Sequence, residues 1–538
     1  MSSRYLVPEA HDACRTSIID IRFLQAFEQA LPSRSRPSHF DSDHDTLSLP
    51  SGPVSRMPQN DSLVPILAQE LSYPMETIYA LPELPPQDVV SQLVGFCARR
   101  FMRQAPFFRE LRRARDVEQN QEENKLSILS MATLGTIVTM DPNLIGWGAR
   151  LWESAIDLYL AVNEANHRMT RGEDWLISSL MLATYAIMKA DGRLWSVVNT
   201  LNGQVTTTVR RLASESESSR GRISSAWEVS RTISYCFLID TLRSIMLDIP
   251  ASLHSADLTI HLSTDQTFHE VYNTQLISNR TLPSTLNQED HLLIILALLS
   301  DIIHLHHWLG PLVDVNIRNG GQPRFPDPSS LLKGEYGMED PRTQCANVFL
   351  PFSASMEWIR CIQTVQNSLA SWRQSVEGNK SKSLQGSHAS VASIMALYYF
   401  CQLILSGGSE VLTLPQQLGY SPNQVCKPRG QRADTRFPHV SDETTDSAWK
   451  VLDLLGAVKA TGKHDDVDHV VEPVWLPMVV FYGGLVVWTS LQRPAQGPMA
   501  GPRTPKLVRL FEMELRDMVW PCATTMADFL KNLMGENV

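Results

Sequence analysis

Closely spaced cysteines are missing from this sequence. Its eight cysteines (Cys14, Cys97, Cys236, Cys345, Cys361, Cys401, Cys426 and Cys522) are scattered through 538 residues, the nearest two are 16 apart, and no CxxC occurs. Such scattered thiols exclude a disulfide framework and read as the reduced cysteines of an intracellular protein. An excess of positive charge is also missing. Against 47 Lys+Arg stand 57 Asp+Glu, a net of −10. That excludes a polybasic nucleic-acid binder and confines any DNA contact to a local patch. The opening MSSRYLVPEAHDACRTS has no apolar stretch of the secretory kind. Long hydrophobic runs are few, the best being the uncharged 18 residues Val474–Leu491. Pro477 and Gly483–Gly484 interrupt that run, and 18 residues is the short limit for a bilayer span. It reads as a buried core helix, with no membrane partner expected.

Signatures of catalysis are equally sparse. There is no GxSxG, no Walker A motif and no GxGxxG, and Gly419–Asn423 fails a nucleophile elbow at its last position. Two stretches are rich in metal-ligand types: His304, His306 and His307 on an apolar helix, and His464–His469, HDDVDH, between two helices. No histidine pair has the i,i+4 spacing that presents two imidazoles to one ion from a helix. His304 and His307 share a face, but need ligands from elsewhere. A metal-dependent helical enzyme of the terpene synthase kind carries DDxxD. Here Asp465, Asp466 and Asp468 are followed by His469 at the last aspartate position. The expectation is therefore no enzyme, no catalytic residue, no metal and no cofactor, with a metal-dependent helical enzyme as one alternative.

What is present is helical periodicity. Residues 1–86 hold 11 of the 32 prolines among Ser and Asp, a composition that predicts a disordered N-terminal segment. Beyond it, Leu194, Val198, Leu201, Val205, Val209 and Leu212 recur in steps of three and four, one stripe along a helix at Arg193–Leu212. Similar patterns predict helices at Lys125–Met140, Arg150–Val162, Asp174–Lys189, Ile223–Leu247, His291–Leu309, Val348–Gln374, Val391–Leu405, Ser447–Lys459, Val474–Leu491 and Lys506–Asp517. Period-two alternation is confined to Leu258, Ile260 and Leu262. The fold expected is all-α: a helical domain at 88–310 and a C-terminal helical extension with internal loops at 311–538.

Basic residues cluster once, in FCARRFMRQAPFFRELRRARD. Arg99, Arg100, Arg103, Arg109, Arg112, Arg113 and Arg115 alternate with Phe101, Phe107 and Phe108. The strip is a candidate contact for DNA phosphates or a nuclear-import signal. The competing reading is a pair of amphipathic helices with arginines in water and phenylalanines in the core. Trp147, Trp152, Trp175 and Trp195 face the same choice between lining an effector pocket and filling the core.

The stretch Ser225–Leu262, SAWEVSRTISYCFLIDTLRSIMLDIPASLHSADLTIHL, carries Trp227, Arg231, Tyr235, Phe237, Asp240, Pro250, Asp257 and Leu262. In order and spacing these positions resemble the signature of the fungal-specific transcription factor domain, or middle homology region. The helices around Trp152 and at Asp174–Leu201 resemble that family's earlier helices, with Gly192 and Trp195 in order, and the likeness covers roughly 88–310. The sequence departs from the family pattern in a single Arg231 for a double arginine, Ile249 for the glycine before Pro250, and Leu262-Ser263 for the closing Leu-Pro. The resemblance implies a nuclear regulator of RNA polymerase II transcription of specific genes, a metabolic or biosynthetic cluster among the candidates. It would work through a helical regulatory and dimerisation domain as a homo- or heterodimer, contacting DNA and the transcription machinery. Family members usually carry a zinc module for DNA binding. A binuclear cluster needs six nearby cysteines and a finger needs paired Cys and His, whereas Cys14, His11, His39 and His44 form neither set. The resemblance thus implies binding to DNA directly or through a DNA-binding partner. A protein-interaction module of other purpose is the main alternative.

Overall fold

The computed structural model describes residues 84–102, 105, 107, 125–139, 141–165, 172–218, 223–264, 266–308, 351–379, 388–420, 440–461, 471–492 and 506–535. Among them 82% are helical, in 14 α-helices with no strand. The all-α expectation holds because apolar residues recur in steps of three and four almost everywhere. Leu258–Leu262, the one alternating stretch, makes a single isolated antiparallel bridge between His261 and Thr267.

In chain order the helices are α1 (Gln87–Phe96), α2 (Lys125–Val138), α3 (Pro142–Ile145), α4 (Gly148–Ala165), α5 (Glu173–Lys189), α6 (Gly192–Ser218) and α7 (Ile223–Leu247). They continue as α8 (Gln288–Trp308), α9 (Pro351–Asn379), α10 (His388–Gln417), α11 (Asp442–Thr461), α12 (Leu476–Leu491), α13 (Lys506–Arg516) and α14 (Pro521–Leu533). Two short π-helical stretches, Cys97–Met102 and Glu270–Ile277, extend α1 and precede α8. Local chemistry sets several boundaries. Asp141 caps α3 by accepting from the Asn143 N–H at 2.9 Å, with Pro142 in the first turn, where its missing donor is harmless. Pro477 sits likewise in the first turn of α12 and starts that helix instead of breaking it. Helix α10 bends where Gly408 takes φ 67°.

Helix α2 packs among α1, α4 and α5; α5 also meets α6, α7 and α14. Helix α8 links α7 to α9 and α10, and α12 lies among α10, α11, α13 and α14. One buried apolar cluster runs through all of these, so the core crosses residue 310 without a break. Close helix approach depends on glycines at two crossings. A Cβ at Gly135 would lie 2.2 Å from the Leu93 carbonyl oxygen, and one at Gly484 would lie 2.8 Å from Leu530. Helix α12, the uncharged run of the sequence, is buried from Leu476 through Thr489. Helices α8 and α10 contain stretches long and apolar enough to cross a membrane; that of α8 is 78% buried in this fold. Indole N–H groups pin distant segments together. Trp372 donates to the His291 carbonyl at 3.0 Å, Trp475 to Ser393 at 3.1 Å and Trp520 to Glu472 at 2.9 Å.

Candidate functional site

Helix α7 and the loop after it, which carry the signature positions, form the densest polar site described. The helix ends with Asp248 in the left-handed region, φ 51°, and the Ile249 N–H returns to the Ser244 carbonyl at 3.1 Å. That closure matches a Schellman-type helix end, and Pro250 then prevents the helix from continuing. The chain doubles back, and Asp240 receives it. Its Oδ2 accepts the Ser252 and Leu253 N–H groups at 2.6 and 2.8 Å. Its Oδ1 accepts Arg243 Nη2 at 2.7 Å, Arg243 Nε at 3.0 Å and Asn202 Nδ2 at 3.3 Å. Arg243 donates onward to Asn199 Oδ1 at 2.7 Å and Ser252 Oγ at 3.0 Å. A buried carboxylate is tolerated here because a guanidinium and backbone donors replace its lost hydration.

Other positions of the resemblance join α7 and its loop to neighbouring elements. Arg231 pairs with Glu289 of α8 at 2.8 Å, and Glu289 also accepts the Phe107 N–H at 3.2 Å. Asp257 binds the Arg210 guanidinium through both oxygens, at 3.2 and 3.1 Å, and accepts the His254 N–H at 2.9 Å. Partial burial alone would raise the Asp257 carboxyl, but the Arg210 and His254 hydrogen bonds carry it below the usual range. Tyr235 shares a 2.7 Å hydrogen bond with Thr184 of α5. Trp227 lies on α7, and Pro250 is exposed in the turn.

Two of the cavities among the described residues bear on these elements. The cleft among α4, α5, α6 and α7 has Ile156, Leu180, Val198 and Val205 in its walls, with Asp240, Arg243, Asn202 and Ser179 among its polar lining. It measures about 490 Å³ with the solvent at its mouth, yet only about 20 Å³ admits the centre of a water molecule. It is therefore closed to anything larger than water. A second cavity of about 270 Å³ lies among Thr136, Thr139, Ile145, Tyr185, Lys189 and Met518. It offers one ammonium, one phenol and two threonine side chains beside apolar ones; burial, with Asp191 and Glu153 nearby, pushes the Tyr185 hydroxyl up.

Of the arginine strip, Arg99 and Arg100 are described, while Arg103, Arg109, Arg112, Arg113 and Arg115 lie outside the described residues. Arg99 is exposed, and its guanidinium lies 5.6 Å from the Phe96 ring. Arg100 donates to the Val138 carbonyl at 3.1 Å, which places a cation at the negative end of α2. Phe101 and Phe107 are buried at 2% and 3% exposure, and Phe101 meets Trp520 edge-on at 6.2 Å. These two aromatic members of the strip therefore serve the core, while Phe108 lies outside the described residues. Trp152, Trp175 and Trp195 are buried too, and none of them lines either cavity.

The histidines of α8 separate by environment. His306 is 3% exposed, and burial pushes it down to about 4. His304 meets His254 edge-on with ring centres 4.1 Å apart, and His307 lies 3.9 Å from Asp248. Among the described residues no three His, Cys, Asp or Glu side chains group as metal ligands. The HDDVDH run falls outside the described residues. Burial raises the thiols of Cys97, Cys236 and Cys401 and takes Cys522 to about 12. These four are packing groups, not nucleophiles.

Sequence reasoning singled out Asp240 but missed Arg243, Asn199 and Asn202. The available signal was spacing: Asp240–Arg243 on α7 and Asn199–Asn202 on α6 are both i,i+3 pairs, each presenting two polar groups to one side. Comparison with known protein families, with curated proteins and with solved structures finds no match.

Proposed function

We propose that this chain is a nuclear regulator of RNA polymerase II transcription of specific genes, of the fungal-specific transcription factor type, acting on DNA directly or through a DNA-binding partner. The observation that carries the reading is the α7 segment. Asp240, Pro250 and Asp257, three positions of the resemblance, belong to one fold-back in which a buried carboxylate secures the loop behind the proline. A signature whose residues act on one another is better support than the same residues scattered through a core. The exposed guanidinium of Arg99 is available for phosphate contact. The 270 Å³ cavity at Lys189 is close to the lower size bound of small-molecule pockets, about 300 Å³, and is a place for an effector that shifts the regulator between states.

The test is chromatin immunoprecipitation of the tagged full-length chain expressed from its own locus. Discrete promoter peaks are the expected result, weakened when residues 1–120 are removed if the strip touches DNA. A flat profile with cytoplasmic signal overturns the reading. A protein-interaction module of other purpose is the second reading, and the exposed apolar stripe of α13 favours it.

A further inference from the structure

The cavity of about 270 Å³ lies near four helix ends. Helix α2 ends at Val138 and α5 at Lys189, while α4 begins at Gly148 and α14 at Pro521. Two negative and two positive helix ends offset one another there, and the Val138 carbonyl is already taken by Arg100. Side chains therefore set what the cavity takes. Ile137, Ile145, Met518, Val519 and Pro521 supply its apolar part.

Its free polar side chains are donors. Tyr185 is 1% exposed, and its hydroxyl has no hydrogen-bond partner among the described residues. A Cβ at Gly148 would lie 2.6 Å from both that hydroxyl and Thr136 Oγ1, so the start of α4 holds the phenol in place. Burial, with Asp191 and Glu153 nearby, keeps the phenol protonated and hence a donor. Lys189 follows at i+4 on the same side of α5 and has no ion pair among the described residues. Thr139 Oγ1 accepts the Asp141 N–H at 3.3 Å and keeps its own proton to give. Thr136 has spent its proton on the Thr133 carbonyl at 2.7 Å. Three donors, one of them a cation, suit a head group that only accepts. A buried donor left without one is costly.

We propose that this cavity binds a monocarboxylate whose body is a single ring or a short branched chain. The carboxylate accepts from the Tyr185 hydroxyl and the Lys189 ammonium, with Thr139 as a third donor, and the body lies among the apolar side chains. Volume sets the size. An apolar cavity of ~150 Å³ holds benzene, so about 270 Å³ holds such a ring together with its carboxylate. Inorganic phosphate is a poorer fit, because a multiply charged ion would meet one ammonium and apolar walls. Asp191 and Glu153 are exposed, and water and salt screen their charges from a bound anion. That the acid acts as an effector rests on the transcriptional reading of the chain; that it binds does not.

Isothermal titration calorimetry of the purified full-length chain with benzoate, phenylacetate and 3-methylbutanoate tests this. At least one acid is expected to bind, one molecule per chain, with a dissociation constant on the order of 0.1 mM. Benzamide has the shape of benzoate without its charge and should bind at least about tenfold more weakly. Lys189→Met keeps the stem and removes the cation, weakening the acid about tenfold or more, and Lys189→Arg restores most of the loss. Tyr185→Phe weakens it about fivefold. The benzamide comparison needs no variant, so it decides even where a variant fails to fold. Absence of binding by all three acids at about 10 mM overturns the inference. So does benzamide or inorganic phosphate binding as tightly as the best acid, or an affinity indifferent to both Lys189→Met and Tyr185→Phe. A chain that binds the acid but gives no promoter peaks loses the transcriptional reading alone. Promoter peaks without acid binding overturn this inference alone.

Discussion

Two ion pairs hold the same loop, and they are unlike. Arg243–Asp240 closes behind Pro250 with its side chains 4% and 2% exposed, whereas Arg210–Asp257 clasps the loop's far end with 50% and 24% exposed. The outer pair is bidentate, yet water competes for every one of its bonds, and such pairs contribute little. The inner pair has no such competitor. Removing either partner strands a charge in the core, and Asp240 also holds two backbone N–H groups, that of Leu253 buried away from water. Geometry alone would rank the two as equals. Burial separates them.

The sharpest test of that contrast is Asp240→Ala, expected to cost about 3–5 kcal/mol by urea denaturation, because Arg243 and the Ser252 and Leu253 N–H groups all lose their acceptor. A cost below about 1 kcal/mol would mean that water reaches the hub and that the contrast is false.

Burial should also govern the acid response. His291 and His306 are both pushed down by burial, to about 4. A histidine lowered in the folded state binds protons more readily when unfolded. Its contribution is therefore intact above the unfolded value of about 6.5, falls as pH drops below that, and is fully lost below about 4. Each is worth about 3 kcal/mol when the loss is complete. Urea midpoints at pH 7 and pH 4.5 should converge in His306→Gln relative to the wild-type chain. Equal losses in the two proteins would show that His306 protonates in place.

A neutral buried contact tests the same rule without charge. The Tyr482 hydroxyl lies 3.2 Å from both the Ile245 and Leu412 carbonyls, joining α12 to α7 and α10. Tyr482→Phe is expected to cost about 1 kcal/mol, read from the denaturation midpoint. A neutral result would assign α12 wholly to apolar packing. The smallest effect belongs to the outer clasp. Arg210→Ala should cost less than about 1 kcal/mol, and the difference should fade in high salt. A salt-independent loss above that value would make the clasp the equal of the hub.

How much could be read beforehand varied from element to element. Helix α7 begins and ends where its periodicity predicts, at Ile223 and Leu247, and α6 contains the whole Leu194–Leu212 stripe. Helix α14 was not foreseen. Its stretch PCATTMADFLKNL has too few large apolar residues to show a face, and it is helical because Phe529 and Leu530 have a core to enter. The π-helical stretches carry no pattern that marks them. In the candidate site, Asp240 and Arg231 were legible through the order of the signature, but Arg243, Asn199 and Asn202 were not. Their meeting depends on the chain doubling back at Pro250 and on α6 lying beside α7, which are contacts between residues some 40 positions apart.

The chain by itself determined the helical class, the places where most helices run, and the balance of charge, because these follow from the spacing of apolar residues and from composition. Tertiary structure alone decided which apolar faces are used. Along α13, leucine, valine, phenylalanine and methionine occur on more than one side. Only the positions of α12 and α14 make Phe511 core and leave Leu510 at the surface. The same holds for charge: Asp240 on α7 and Asp257 in the loop after it are identical side chains, and the water that the packed helices exclude from one and admit to the other sets what each contributes.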